Sequence, residues 1–224
     1  MRKLVNCFIA VFILLISPLT SFAEVGEQAV APCVACHGKK GNSQAPIFPK
    51  LAGQNKKYLS KQLFDYQLSN RKNPTMQGMA AALSEQDIDD IATYYAAQTI
   101  QKTTAPVVDP DDEDEDDDEE EESEVDNQIN PEELLKKGEL LYMSGNLETQ
   151  VPACSACHAP DARGNSLAGF PALRSQHATY LVSTLKQYRE GERVNDTGGM
   201  MHKTAQRMST QEINAVAAYL AGLK

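Results

Sequence analysis

Cysteine is scarce in this sequence, and its placement removes most of the uses a cysteine can have. There are five in 224 residues: Cys7 lies in an N-terminal apolar run, and the rest form two pentapeptides, Cys33-Val34-Ala35-Cys36-His37 and Cys154-Ser155-Ala156-Cys157-His158. Nothing is left over for a disulfide framework. A structural zinc ion asks for about four Cys or His donors, and neither half carries a second C-x-x-C or an H-x-x-x-H near its motif. A thioredoxin-like dithiol would sit on a strand-to-helix turn within an α/β pattern, and no alternating strand pattern occurs. A basic patch with interleaved aromatics is also missing, which argues against a nucleic-acid partner. Basic residues are absent altogether from residues 109–124, where 14 side chains are acidic.

What the pentapeptides do supply is the chemistry of covalent haem attachment. Two thiols three positions apart can each add across one vinyl group of a single haem, and the adjacent imidazole then reaches the iron. Two copies therefore predict two covalently bound haems c. Cys33 and Cys36 would carry one, with His37 on its iron; Cys154 and Cys157 would carry the other, with His158 on its iron.

Arg2 and Lys3, the apolar residues 4–16 and the small-residue site Ser21-Phe22-Ala23 read together as a secretory signal, residues 1–23. Export places the mature protein in the periplasm, and Cys7 leaves with the signal. The remaining length suits two domains of under about 100 residues each, small for an independent core. A haem would supply the missing apolar bulk. The formal charge of -10 belongs to one segment rather than to the whole surface. Residues 24–108 hold nine basic and seven acidic side chains, and residues 125–224 hold ten of each.

The mature chain is an internal duplication. Phe48-Pro49-x-Leu51, Gln54, Tyr58, Leu59, Leu63 and Tyr66 recur 122 positions later as Phe170-Pro171-x-Leu173, Gln176, Tyr180, Leu181, Leu185 and Tyr188. The apolar spacing from Asn55 onward is helical. Ser84-x-x-Asp87 and Ser209-x-x-Glu212 predict capping boxes that open a last helix in each half. Asn130, Pro131 and Glu133 stand in the right order to start a helix. The prediction is an all-α fold of two tandem domains, residues 24–104 and 130–224, joined by an acidic linker, residues 105–129.

The repeat also selects the second axial ligands, since an iron that only transfers electrons needs a donor opposite the histidine, and a Met thioether raises its potential. The candidates are Met76 and Met79 in the first half, and Met200, Met201 and a rival His202 in the second. The capping serine discriminates among them: Met76 stands eight positions before Ser84, and Met201 eight before Ser209. His177 and His202 are expected to be ordinary polar residues. The helical tyrosines are expected to pack the core and the haem.

Gly41-Asn42-Ser43, Phe48-Pro49-Lys50-Leu51-Ala52-Gly53-Gln54, Met76-x-Gly78-Met79, Val151-Pro152-Ala153-Cys154, Ser175-Gln176-His177-Ala178-x-Tyr180 and Arg193-x-Asn195-Asp196 resemble the dihaem cytochrome c4 family over nearly all of the mature chain. The resemblance implies two class I cytochrome c domains packed about a pseudo-twofold axis. It further implies His37 and Met76 on one iron, His158 and Met201 on the other, and the Pro49 and Pro171 carbonyls steadying the two imidazoles. By the same resemblance the protein would carry electrons in a respiratory chain, from a cytochrome bc complex to a terminal oxidase, as a soluble or peripherally membrane-associated protein. Service as the cytochrome subunit of a periplasmic dehydrogenase is the alternative, and a peroxidase would need one iron with an open sixth position. The acidic run departs from the family pattern. Its composition predicts a disordered tether, long enough for the domains to dock and to part.

Overall fold

Each half is built by helices whose starting signals are local. The computed structural model describes residues 27–102 and 130–223; the expected signal segment and acidic linker, residues 1–23 and 105–129, lie outside the described residues. In the first half, a turn at Ala31–Cys33 runs into α1 (Val34–His37), followed by α2 (Lys56–Gln67), α3 (Pro74–Ala80) and α4 (Glu85–Ala96). The second half contains α5 (Pro131–Ser144), α6 (Ser155–His158), α7 (Ala178–Arg189), α8 (Met200–Ala205) and α9 (Thr210–Gly222). Among the described residues the only bridges are the isolated pairs Asn146–Val151 and Asn165–Phe170, so the architecture is all-α.

The capping boxes form as the sequence predicts. Ser84 accepts from the Asp87 amide while Asp87 reaches back to the Ser84 amide, and Ser209 and Glu212 do the same. Asn130 caps α5 by accepting from the Glu132 amide. The segment bearing Met76 is the short helix α3. Pro74 occupies its first turn, and Asn73 caps it by accepting from the Met76 amide.

In the first domain α2 packs on α4, and Leu59, Ile91, Ala92 and Tyr95 form the centre of a small core. The second domain has the larger core, with α9 laid against α5 and α7 around Tyr142, Leu181, Ile213 and Val216. Gly138 makes the α5–α9 crossing possible, because a Cβ there would stand 2.0 Å from the Ala215 carbonyl oxygen.

The two domains dock through buried polar groups arranged with near twofold symmetry. Gln54 Oε1 accepts from the Ala172 amide at 2.8 Å, and its Nε2 donates to the Ala172 carbonyl at 2.9 Å. Gln176, the counterpart of Gln54, accepts from the Lys50 amide and donates to the Lys50 carbonyl, both at 2.9 Å. His177 Nε2 lies 2.9 Å from Ser43 Oγ and 3.1 Å from the Ser43 carbonyl oxygen. Since Ser43 Oγ donates to the Phe48 carbonyl, the imidazole is the donor to Ser43. His177 is therefore an interface residue, more specific than the ordinary polar role expected for it.

Two predictions follow from packing and interface. Gly138→Ala should destabilise the second domain by about 1–3 kcal/mol, the range for overpacking, and calorimetry of the holoprotein should show its transition lowered with the first domain's unchanged. Burial pushes His177 below the ordinary range, opposed by the Ser43 carbonyl and reinforced by Lys50, and its buried Nδ1 has no partner to accept a second proton. A depressed folded-state pKa means that the separated state binds the proton more readily. The interface is thus fully present above about pH 6.5 and weakens as pH falls below it. Small-angle scattering should show expansion between pH 7.5 and 5 that His177→Asn abolishes.

Candidate functional site

Three local devices meet at each pentapeptide. Cys33 ends the turn that feeds α1, Cys36 lies one turn later, and the same arrangement recurs with Cys154 and Cys157 at α6. One helical turn sets both thiols of a pair toward the same side. None of the four is in a disulfide. Burial, reinforced by the Cys36 charge, raises Cys33, and burial pushes Cys154 up to about 11. A dithiol redox centre needs a lowered thiol pKa, so the environment opposes that use. Among the described residues no three His, Cys, Asp or Glu side chains converge on a point, so a tetrahedral zinc ion lacks protein donors.

The imidazoles are prepared as ligands. His37 and His158 are each 6% exposed. Each directs Nδ1 at a carbonyl oxygen 2.9 Å away, His37 at Pro49 and His158 at Pro171. A carbonyl only accepts, so Nδ1 carries the proton and Nε2 keeps its lone pair. Burial pushes both imidazoles below their ordinary pKa, against the pull of the carbonyls. The rings are therefore neutral, the form that a metal requires. Phe48 and Phe170 contact them with ring centres 6.3 and 6.2 Å away.

The methionines separate by environment. Met76 and Met201 are half-buried, whereas Met79 and Met200 are 40% and 44% exposed. Side-chain acceptors hold the backbone at both inner methionines: Asn73 Oδ1 takes the Met76 amide at 2.9 Å, and Asp196 Oδ2 takes the Met201 amide at 2.7 Å. Gly198 and Gly199, both at positive φ, let the second segment turn between Asp196 and Met201. His202 directs Nδ1 at the Tyr188 carbonyl, 2.6 Å away.

A feature that the sequence reading missed lies between the domains. Arg71 and Arg193 are 8% and 3% exposed, and both donate to one oxygen, Gln62 Oε1, at 2.8 and 2.9 Å. Arg71 also donates to Tyr180 Oη and Arg193 to Tyr58 Oη, each at 3.1 Å across the domain boundary. The guanidiniums lie over Tyr66 and Tyr188, 4.8 and 4.6 Å from the ring centres. Tyr58 and Tyr180 thus serve the interface, while Tyr66 and Tyr188 are buried under the guanidinium of their own domain. Helical spacing marks the face that is buried, and the partner domain supplies the cover. Neither guanidinium has an ion pair among the described residues. Burial raises the Tyr180 phenol, but the two guanidiniums overcome this and hold it low. Two buried cations with so little compensation call for anions. Their shared cleft, about 300 Å³ and bordered by Lys72, Gln187 and Glu192, is where anionic groups would enter. The 122-residue offset between Arg71 and Arg193 was the available signal.

Paired thiols, neutral imidazoles, half-buried thioethers and buried guanidiniums form a donor set that fits two haems with their propionates. Comparison with known proteins agrees. The cytochrome c family signature matches residues 23–98 and 135–224. The cytochrome c4 of Thiocapsa roseopersicina is 44% identical over 209 residues, 92% of this chain and 95% of that protein. The crystal structure of reduced recombinant cytochrome c4 from Pseudomonas stutzeri matches with a TM-score of 0.76 and 40% identity, covering 90% of this chain and 98% of that one. A thiosulfate dehydrogenase electron acceptor of Thiomonas intermedia is 34% identical over 202 residues, 90% of this chain and 82% of that protein.

Proposed function

Because the chain belongs to the cytochrome c family, as a two-domain cytochrome c4 with two covalently bound haems c, we propose that it carries electrons in the periplasm from a cytochrome bc complex to a terminal oxidase. When bound, the haem iron supplies a one-electron couple and the protein makes or breaks no substrate bond. Cys33 and Cys36 hold one haem by thioethers, and Cys154 and Cys157 hold the other. His37 with Met76 would be the ligands to one iron, and His158 with Met201 those to the other. The Pro49 and Pro171 carbonyls fix the imidazole planes, and Arg71 and Arg193 hold propionates at the domain boundary. What supports a carrier over a peroxidase is that each half supplies both a neutral buried histidine and a half-buried methionine whose backbone is pinned. A peroxidase would need one open position.

No helix among the described residues is long and apolar enough to cross a membrane, and we place any association with the membrane at its periphery. A second reading is supported by the thiosulfate dehydrogenase electron acceptor among the relatives: this chain would accept electrons from a periplasmic dehydrogenase that oxidises a sulfur compound. Reconstitution separates the two. Quinol-driven reduction through the bc complex, followed by oxidation at the oxidase, supports the first. Turnover only with a copurifying dehydrogenase supports the second.

Met76→Ala and Met201→Ala should each lower the potential of one haem and open that iron to added ligands. The long-wavelength iron–methionine charge-transfer band should fall by about half in each variant, since each removes one of two thioether ligands. If Met79→Ala or Met200→Ala has this effect instead, the ligand assignment is wrong. Cys33→Ala and Cys154→Ala should impair attachment of only the corresponding haem, read by peptide mapping of bound haem.

A further inference from the structure

The peptide unit between Pro49 and Lys50 is hydrogen-bonded at both of its polar ends, and the two partners come from different domains. Its carbonyl accepts from His37 Nδ1 at 2.9 Å, while its N–H donates to Gln176 Oε1 at 2.9 Å. The peptide between Pro171 and Ala172 repeats this: the carbonyl accepts from His158 Nδ1 at 2.9 Å, and the N–H donates to Gln54 Oε1 at 2.8 Å. Both glutamines are buried, 7% exposed for Gln54 and 5% for Gln176. Each is held in place by a second bond, from its Nε2 to the carbonyl of Ala172 or Lys50. Each Oε1 also accepts from the next amide of its own chain, Asn55 N at 2.9 Å and His177 N at 3.0 Å.

An amide is one polarisable group. A hydrogen bond to its N–H strengthens its carbonyl as an acceptor, by roughly 10–30% per bond in condensed-phase estimates. A stronger acceptor at Nδ1–H makes the imidazole more basic at Nε2, which favours the oxidised metal and fixes the ring plane. Resting on the proposal that His37 and His158 are the iron ligands, we infer that Gln176 and Gln54 are positioning residues that tune the proximal ligand of the opposite domain. Gln176 acts on His37 through the Pro49–Lys50 peptide, and Gln54 acts on His158 through the Pro171–Ala172 peptide. Docking the domains thereby sets both reduction potentials, and each iron reports whether its neighbour is in place.

The test is crosswise. Gln176→Met and Gln54→Met keep the volume and remove the acceptor; Gln176→Glu and Gln54→Glu keep it. Lys57→Met removes a different contact between the domains, the bond from Lys57 Nζ to the Leu167 carbonyl, and serves as the control for docking alone. In the holoproteins, spectroelectrochemistry would give both potentials, and NMR of the hyperfine-shifted signals would assign each to a domain and report its histidine Nδ1–H. Gln176→Met should raise the potential of the first domain's haem and move the His37 signal, leaving the second domain unchanged. Gln54→Met should do the reverse. The Glu variants should return each potential to the unsubstituted value or below, and Lys57→Met should shift neither selectively. Equal shifts in both domains, a shift confined to the domain that bears the substitution, or Lys57→Met reproducing the glutamine effect would each overturn the inference. Absence of any histidine Nδ1–H signal from the unsubstituted protein would overturn the ligation reading beneath it.

Discussion

The hydrogen bond from a buried imidazole to a proline carbonyl is the constraint around which each domain is arranged. It fixes which nitrogen carries the proton, and hence which one is free for a metal. The Phe-Pro-x-Leu segment must therefore lie beside the pentapeptide turn, and the helices after it must fold back to cover the other side. In the first domain, the Leu51 and Ala52 amides bond to the Gly41 carbonyl. This anchors the segment against the loop that leaves His37. The Leu173 amide bonds likewise to the Ala162 carbonyl in the second domain. Small cores of this size are marginal without a cofactor, and each is arranged to close over one.

The interface extends the same constraint beyond the single domain. Apolar contacts would hold the halves together with little directional preference. The amide pairs at Gln54 and Gln176 instead tolerate one register, because a buried donor or acceptor left unpaired is costly. The guanidinium cluster adds electrostatic specificity: Arg71 and Arg193 converge on Gln62, while Asp65 is engaged by Lys61 and Asn195 rather than by either arginine. Positive charge therefore remains for propionates that would come from both sides of the boundary. On the proposed reading, haem retention and domain docking would share one set of residues.

Much of this was legible in the chain. The pentapeptides, the capping boxes and the serine-to-methionine spacing are local patterns whose physical requirements act within a few residues, and the structure realises the helical parts of them as expected. Met76 and Met201 are half-buried, whereas Met79 and Met200 are exposed. Less was legible where the partner is remote. Tyr58 and Tyr180 read as core residues, because helical periodicity identifies a buried face without naming what buries it. His177 read as an ordinary polar residue, because its acceptor on Ser43 is 134 positions away.

The sequence by itself determined the number of haem sites, the all-α duplication and the chemistry of each donor, since these depend on residue type and short spacing. Only folding shows that Gln54 and Gln176 cross to the opposite domain and that Arg71 and Arg193 meet. The cause is the same in both cases. Burial and hydrogen-bond partnership are properties of positions brought together by folding, and a repeat of 122 residues reveals that two positions are equivalent without revealing that they touch.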